Sequence, residues 1–271
     1  MTEQQRPDRN ADTWASGAAY EPYVGRWSRL VARAFVDWLA APPGWRWLDV
    51  GCGTGALSQT ILEHAAPALV KGIDLSEGYI VYAREQVRDG RASFMVGDAQ
   101  ALPVETGEYD AVVSGLALNF VPRPEQAIDE MARASRPGGI VAAYVWDYAG
   151  QMQLMRYFWD AAAALNPAAR NLDEGRRFPI CQPQPLERLF RSARLRQVEV
   201  HAIDVLTVFR DFADYWSPFL GGQGPAPGYA MSLSEEERAA LREHIHASLP
   251  IAPDGAIHLI ARAWAVRGIP R

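Results

Sequence analysis

A short apolar segment that ends in three alternating glycines constrains the fold of this chain more than any other feature. Residues 48–58 read LDVGCGTGALS, with glycine at positions 51, 53 and 55. Glycine adopts positive φ readily and lets another molecule approach the backbone closely. The pattern therefore predicts a buried strand, a tight turn and a helix whose first N–H groups favour a polar ligand. The turn alone does not distinguish a dinucleotide, a phosphate and another ligand that carries a ribose and an adenine.

The segments around this turn alternate between strand-like and helix-like patterns. Residues 26–39 predict an amphipathic helix before the turn. Five short, near-continuous apolar runs predict strands at 46–50, 68–75, 92–98, 109–116 and 139–146. Helical segments separate most of these runs, and such alternation predicts a parallel sheet with helices on both faces.

The alternation becomes less regular after about residue 150, where the segments are more helical and rich in aromatic residues. The composition does not shift enough to indicate a second domain, so we expect helices inserted into a single one. The expected division is a flexible N-terminal segment at 1–19 and one domain at 20–271, with cap insertions at about 151–192 and 208–250. Two further strands are expected, near 198–204 and at 255–268, and the segment GGQGPAPG at 221–228 is expected to be a loop.

Composition excludes several classes of partner. The 271 residues are 49% hydrophobic with a net charge of −5, which argues against disorder and against nucleic acid as the main partner. Two distant cysteines, Cys52 and Cys181, predict neither a disulfide framework nor a zinc cluster, and no metal is expected. No apolar run reaches the roughly 18 residues needed to span a membrane, and the polar N-terminus does not resemble a secretory signal. We therefore expect a cytoplasmic protein that does not engage a membrane.

Two acidic residues follow the next predicted strands. Asp74 ends the second strand about 20 residues beyond the glycines, where a carboxylate can accept hydrogen bonds from both hydroxyls of a ribose. Asp98 and Ala99 follow the third strand in the sequence GDAQALP. Ligands of open α/β sheets bind at the carboxyl ends of the strands. The glycine turn and the two acids therefore predict one nucleoside-binding edge.

Five motifs together resemble the class I S-adenosylmethionine-dependent methyltransferases, and in particular the small-molecule group that includes enzymes of ubiquinone and menaquinone biosynthesis. They are LDVGCGTG, GIDLS, GDAQALP, YDAVVSGLAL and a helix ending in RPGG, and the resemblance covers about residues 20–147. It implies a doubly wound, Rossmann-like α/β fold with a seven-stranded, mostly parallel sheet, an antiparallel last strand and inserted cap helices. It also implies S-adenosyl-L-methionine as cofactor and methyl transfer to a small-molecule acceptor.

The resemblance assigns a role to each motif residue. Asp74 holds the ribose, Leu75 packs near the adenine, and Asp98 accepts from the adenine amino group beside the Ala99 backbone. The residues assigned to the methionine end of the cofactor are Asp49, Gly51, Gly53 and Gly55. The residues assigned to the vicinity of the amino group and the sulfonium are Ser114, Gly115 and Leu116.

An N-terminal motif and the segment after the fourth strand complete the comparison with that family. Tyr23 and Arg26, within YEPYVGRW, either contact the methionine carboxylate or only dock the first helix. Family members often carry a histidine pair after the fourth strand, whereas this chain has LALNFV with Asn119. A role of those histidines therefore cannot be transferred to this chain.

The catalytic group is the least constrained part of the prediction. Asp147, in the sequence WDY after the fifth strand, either orients or deprotonates an acceptor or forms a structural salt bridge. Several aromatic residues either line a pocket under the cap, which would favour an apolar or aromatic acceptor, or belong to the core. They are Trp14, Trp146, Trp159, Trp216 and Phe219. Cys52 is interpreted as a small residue that packs under the glycine turn rather than as a nucleophile.

Two other functions remain open at this stage. A nicotinamide-dependent oxidoreductase would use a similar sheet, but it expects GxGxxG where this chain has GxGxG, and it leaves GDAQALP unexplained. A catalytically silent methyltransferase-like binding protein would keep the same motifs. The sequence indicates neither the methyl acceptor nor the oligomeric state.

Overall fold

The computed structural model describes residues 25–221 and 224–271, apart from the side chain of Arg26. Its centre is a seven-stranded sheet in the order β3-β2-β1-β4-β5-β7-β6. The strands are β1 (Arg46–Val50), β2 (Leu69–Asp74), β3 (Ala92–Val96), β4 (Tyr109–Gly115), β5 (Ser135–Trp146), β6 (Arg196–Phe209) and β7 (Ile257–Ile269). The predicted N-terminal segment at 1–19 lies outside the described residues.

The sheet is parallel from β3 to β5, and β7 runs antiparallel to both of its neighbours, β5 and β6. This confirms the predicted seven-stranded, mostly parallel sheet with an antiparallel last strand. The strand order reverses between β1 and β4, so the glycine turn after β1 lies at the topological switch point. Open α/β sheets bind their ligands at this position.

Helices cover both faces of the sheet, as predicted. They are α1 (Arg26–Leu39), α2 (Ala56–His64), α3 (Glu77–Gln86), α4 (Pro124–Ala134), α5 (Gln153–Leu165), α6 (Glu174–Arg177), α7 (Pro183–Ser192), α8 (Phe212–Trp216), α9 (Pro225–Ser232) and α10 (Glu235–Ser248). Apolar residues of α1, α2, α3 and α5 share one core cluster, and those of α4 and α7 share another. Trp47 belongs to the first cluster and Leu48 to the second, because successive strand residues point to opposite faces.

Three boundaries differ from the sequence-based expectation. Helix α4 ends at Ala134, before the RPGG motif, because Ser135 already pairs with Tyr109 in the sheet. Residues 225–232 form α9 rather than a loop, with a proline in the first helical turn, where a missing N–H is tolerated. Helix α7, which falls within the expected cap insertion at 151–192, packs instead against β6 and β7.

No helix in the described part of the chain is long and apolar enough to cross a membrane. The candidate site is shaped by the segments at the carboxyl-terminal edge of the sheet, where open α/β sheets bind their ligands. These segments are the turn after β1, the short connections after β2, β3 and β4, and the longer segment that links β5 to α7.

Candidate functional site

The carboxyl ends of four adjacent parallel strands bring the predicted cofactor residues to one edge of the sheet. Asp49 lies beside Gly72 of β2 and Val113 of β4, and Asp74 lies beside Val96 of β3. The remaining motif residues follow these strands directly. The described residues of the predicted cofactor set that share this edge are Asp49, Gly51, Gly53, Gly55, Asp74, Leu75, Asp98, Ala99, Ser114, Gly115 and Leu116.

The glycine turn is fastened to the end of β2 by its backbone. The N–H groups of Gly51 and Cys52 both donate to the carbonyl of Ile73, at 2.7 and 3.0 Å. The Gly53 N–H donates to Oδ2 of Asp74 at 2.9 Å, and the Ser76 N–H donates to Oδ1 at 2.9 Å. Asp74 therefore links the turn after β1 to the start of α3, in addition to its predicted role toward a ribose.

Two glycines of this turn have different environments. Gly51 has a φ of +72°, and a Cβ there would lie 2.5 Å from the Cβ of Ala117. Only glycine lets the turn approach the segment after β4 so closely. Gly53 has a φ of +51°, and a Cβ there would meet no described atom within 4 Å. The turn is thus packed on one side at Gly51 and open at Gly53.

Asp49 is a buried acid at the end of β1. Its side chain is fully buried, and Oδ2 accepts a hydrogen bond from the Ser58 hydroxyl at 2.7 Å. Oδ1 has no hydrogen-bond partner among the described residues. Burial raises the pKa of Asp49 to about 7; the Ser58 hydrogen bond opposes this, and the charge of Asp74 adds to it. A cationic ligand group near Oδ1 would stabilise the ionised form.

The segments after β2 and β3 place an acid and an apolar surface at the same edge. Oδ1 of Asp98 accepts from the Gln100 N–H at 2.8 Å and from its Nε2 at 3.0 Å. These hydrogen bonds hold the pKa of Asp98 below its ordinary value, so the side chain is ionised at neutral pH. Leu75 is 74% exposed. An exposed leucine beside an ionised acid fits a ligand with a flat apolar ring and a hydrogen-bond donor.

The backbone after β4 is held in an unusual conformation. Leu116 has a φ of +57°, and its N–H donates to the Tyr144 carbonyl at 2.8 Å. A Cβ on Gly115 would lie 2.6 Å from the Tyr144 hydroxyl, and Ser114 is buried. Left-handed backbone costs a residue such as leucine about 1–2 kcal/mol. Such strain persists where the surrounding structure imposes it, often at functional sites.

Asp147 and Cys52 are both buried and engaged locally. Oδ2 of Asp147 accepts from the Gln151 N–H at 2.8 Å, so its carboxylate folds back over its own loop. Among the described residues Asp147 forms no ion pair within 4 Å, but its charge contributes to raising the pKa of Arg262. Burial raises the pKa of Cys52 well above its ordinary value, and a Cβ on Gly72 would lie 2.9 Å from its Sγ. The packing interpretation of Cys52 is therefore confirmed.

The N-terminal candidates lie largely outside the described residues. Tyr23 falls in that part, and Arg26 is described only as the first residue of α1. Trp14, one of the aromatic candidates, also lies outside. The other aromatic candidates are core residues that are no more than 7% exposed, so they offer little surface to a ligand. They are Trp146, Trp159, Trp216 and Phe219.

A different aromatic cluster, which sequence reasoning missed, lies at the site edge. The ring of Phe120 meets that of Phe178 edge-on at 5.4 Å, and the Phe178 ring lies 6.1 Å from that of Tyr148. Phe120 is 42% exposed. We call Phe120, Tyr148 and Phe178 the aromatic wall. Its members come from three separate segments, so no local sequence pattern could have indicated their contact.

A buried ion pair fixes the segment that carries part of this wall. Arg156 of α5 donates to both carboxylate oxygens of Asp173, at 3.1 and 2.7 Å. Its Nη1 also donates to the Tyr148 carbonyl at 2.8 Å. The Arg156 and Asp173 side chains are only 14% and 12% exposed. A bidentate pair constrains the relative position of its two side chains and also contributes stability. Arg156 therefore holds the Tyr148 backbone close to Asp173, in the segment that precedes Phe178.

Within residues 25–221 and 224–271, no group of three or more His, Cys, Asp and Glu side chains is arranged to hold a metal ion.

Comparison with known proteins shows which proteins this chain resembles in sequence. Residues 48–143 match a family model described as a methyltransferase domain. The chain is 36% identical over 116 residues to a ubiquinone/menaquinone biosynthesis C-methyltransferase of Cereibacter sphaeroides, covering 41% of this chain and 46% of that protein. It is 39% identical over 114 residues to a demethylmenaquinone methyltransferase of Renibacterium salmoninarum, covering 42% of this chain and 45% of that protein. The match thus spans less than half the length of either relative.

Solved structures resemble nearly the whole chain in fold. A phosphoethanolamine N-methyltransferase 2 of Haemonchus contortus, in complex with S-adenosyl-L-methionine, matches with a TM-score of 0.56 and 18% identity, covering 94% of this chain and 56% of that one. A [4+2]-cyclase matches with a TM-score of 0.50 and 19% identity, covering 97% of this chain and 85% of that one. At these identities the likeness concerns the fold alone. Residues 48–143 therefore match a methyltransferase domain in sequence, and nearly the whole chain resembles solved methyltransferase structures in fold.

Proposed function

We propose that this protein is an enzyme that transfers a methyl group from S-adenosyl-L-methionine to a small-molecule acceptor. The observation that carries the proposal is the acidic edge, where Asp49 and Asp74 lie at the carboxyl ends of β1 and β2 and Asp98 follows β3. S-adenosylmethionine carries an ammonium and a sulfonium, which such an edge attracts. The pyrophosphate of a dinucleotide is anionic, and an ionised Asp49 next to the glycine turn would repel it.

The described residues fit the parts of this cofactor. The unpartnered Oδ1 of Asp49 supplies a buried acceptor for a cationic group. Asp74 has one hydrogen bond to each oxygen, which leaves acceptor capacity for ribose hydroxyls. Leu75 offers an exposed apolar surface to a purine, and ionised Asp98 can accept from its amino group. The remaining assignments, to Gly51, Gly53, Gly55, Ala99, Ser114, Gly115 and Leu116, are proposed on the family resemblance together with their shared edge.

The chain's main contribution to the reaction is orientation. The cofactor supplies an activated methyl group, whose bond to sulfur breaks as a bond to the acceptor nucleophile forms. Holding the two reactants in line lowers the barrier by up to about 7–11 kcal/mol in favourable cases. Asp147 accepts from the Gln151 N–H, so we assign it to shaping the loop that carries Tyr148 rather than to removing a proton.

The aromatic wall supports a planar, apolar or aromatic acceptor. Aromatic side chains pack well against flat rings, in stacked or edge-on arrangements. The curated relatives are named for quinone biosynthesis, which agrees with such an acceptor.

The two cysteines, Cys52 and Cys181, are free thiols, and we propose a cytoplasmic location because unpaired cysteines are typical of a reducing compartment.

A second candidate function is binding, or a different reaction, on the same fold. The likeness to a [4+2]-cyclase supports this second candidate function, because this fold also occurs in a protein named for another chemistry. The oxidoreductase alternative is disfavoured by the antiparallel β7 and by the additional acid Asp98, which that alternative leaves unexplained.

Calorimetric titration separates these functions. We expect the protein to bind S-adenosylhomocysteine and not to bind NAD. A screen of aromatic acceptors with cofactor labelled on its methyl group should then yield a labelled product. Tight binding of NAD would overturn the proposal, whereas cofactor binding without transfer to any acceptor would favour the binding function.

A further inference from the structure

A buried amide without a hydrogen-bond partner directly precedes Phe120 of the aromatic wall in the chain. Asn119 belongs to the 3₁₀ turn Leu118–Phe120, just beyond the left-handed Leu116. Its side chain is 9% exposed, and its Nδ2 has no hydrogen-bond partner among the described residues. A buried donor left unsatisfied costs about 1–3 kcal/mol. Such a group in a folded protein calls for an explanation, and an absent ligand is one of them.

The surroundings of Asn119 indicate what such a ligand would be. The next residue, Phe120, is half exposed and contacts Phe178 edge-on. Phe178 in turn contacts Tyr148, which the Arg156 hydrogen bond holds in place. Apolar ring faces beside a single polar donor are typical of small-molecule sites. An oxygen on a flat aromatic ring would satisfy both features together.

We propose that Asn119 determines acceptor specificity: its Nδ2 donates a hydrogen bond to an oxygen of a planar aromatic acceptor that packs against the aromatic wall. This inference rests on the proposed methyl-transfer function and names the substrate class of that site. The class is an aromatic ring that bears a carbonyl or hydroxyl oxygen. A carboxamide donates a proton in a hydrogen bond but does not take one up near neutral pH, so Asn119 selects and orients the acceptor and does not act as a base.

The position of Asn119 within the chain strengthens this assignment. It follows β4, the strand that carries Ser114 and Gly115 at its carboxyl end. It is also connected to β5 through contacts between that strand and the 3₁₀ turn. The proposed cofactor edge and the aromatic wall therefore flank the same short segment. A donor at this point can fix an acceptor relative to both.

Binding of two matched ligands tests the proposal. The probes are 1-naphthol and 1-methylnaphthalene, which have similar shapes and differ by the oxygen, titrated in the presence of saturating S-adenosylhomocysteine. We expect the wild type to bind 1-naphthol at least about tenfold more tightly, because a site built around a polar partner rejects analogues that lack it. Asn119→Leu should abolish this preference and leave S-adenosylhomocysteine affinity within about twofold, since the proposed cofactor contacts remain intact.

Two further variants complete the design. Asn171→Leu makes the same change at an exposed asparagine and should retain the preference. Asn119→Ala removes both polar atoms of the amide with a smaller side chain, so it serves if the leucine variant does not fold; it too should lose the preference for 1-naphthol.

The outcomes distinguish this inference from the proposed function. No preference in the wild type, or a preference that both Asn119 variants keep, would overturn the inference while leaving methyl transfer intact. Loss of S-adenosylhomocysteine binding in a folded Asn119 variant would also overturn it, because the amide would then serve the cofactor. A wild type that does not bind S-adenosylhomocysteine would instead refute the proposed function.

Discussion

The carboxylate of Asp74 accepts a hydrogen bond from the backbone N–H of Gly53 over 2.9 Å, across 21 positions of sequence. The end of β2 thereby holds the turn after β1, and the other oxygen of Asp74 holds the Ser76 N–H. A residue predicted only to bind a ribose therefore also shapes the turn that faces the rest of the ligand.

The first prediction concerns this dual role. Asp74→Ala should weaken S-adenosylhomocysteine binding at least about tenfold, because hydrogen bonds to a charged group contribute about 1.5–3 kcal/mol each. It should also lower the free energy of unfolding by about 1–3 kcal/mol, since the Gly53 and Ser76 N–H groups lose their acceptor. Calorimetry and denaturant unfolding measure the two effects. Asp129→Ala, at an exposed acid of α4, is the matched control and should change neither. Unchanged affinity in a folded Asp74→Ala protein would mean that the ribose binds elsewhere.

The second prediction contrasts two glycines of the turn. Gly51→Ala should destabilise the fold, because its Cβ would lie 2.5 Å from that of Ala117. Gly53→Ala should cost only about 1–2 kcal/mol for left-handed backbone, since no described atom lies within 4 Å of its Cβ. Because that space is where we propose the cofactor binds, Gly53→Ala should still weaken S-adenosylhomocysteine binding. Thermal unfolding and calorimetry on the two variants test this; full affinity in Gly53→Ala would place the cofactor away from the turn.

The third prediction concerns the pH dependence of stability. Burial raises the folded-state pKa of Asp49 from 3.8 to about 7. Below pH 4 the carboxyl is protonated in both states, whereas between pH 4 and 7 only the unfolded state ionises. The stability associated with this group is therefore lost as pH rises through that window, on the order of 4 kcal/mol in total.

The neutral variant Asp49→Asn isolates this effect from that of other titrating groups. Denaturant unfolding of the wild type and the variant at pH 4, 5.5, 7 and 8 should show the variant gaining stability relative to the wild type as pH rises. Parallel pH profiles would show that Asp49 titrates normally in the folded protein. The cationic cofactor should reduce the difference, because it favours the ionised carboxylate.

The fourth prediction concerns the ion pair that fixes the aromatic wall. Arg156→Ala should lower the free energy of unfolding by about 3–5 kcal/mol, because it leaves the buried Asp173 carboxylate unpaired. Arg191→Ala breaks an exposed pair with Glu187 and should cost less than about 1 kcal/mol. Equal effects of the two substitutions would show that the Arg156 pair contributes no more than a surface contact. The double variant Arg156→Ala/Asp173→Ala should recover part of the lost stability.

Sequence patterns alone determined the framework of this protein. Apolar runs, the glycine turn and the strand-terminal acids predicted β1 to β5, the parallel sheet and the edge that carries Asp49, Asp74 and Asp98. The family resemblance predicted the antiparallel β7. These features were readable because a parallel sheet with helical crossovers brings the carboxyl ends of its strands to one edge, whatever side chains fill its core.

Only the tertiary structure decided which side chains meet at that edge. The hydrogen bond between Gly53 and Asp74, the buried unpartnered Oδ1 of Asp49 and the aromatic wall all depend on contacts between separate segments. The same holds for Trp159, for which the sequence left a pocket position and a core position open and which lies in the core. Helical and strand periodicities report which face of an element is apolar, but not which other segment covers it. That choice is made by close packing of the whole chain, in which residues far apart in sequence compete for the same space.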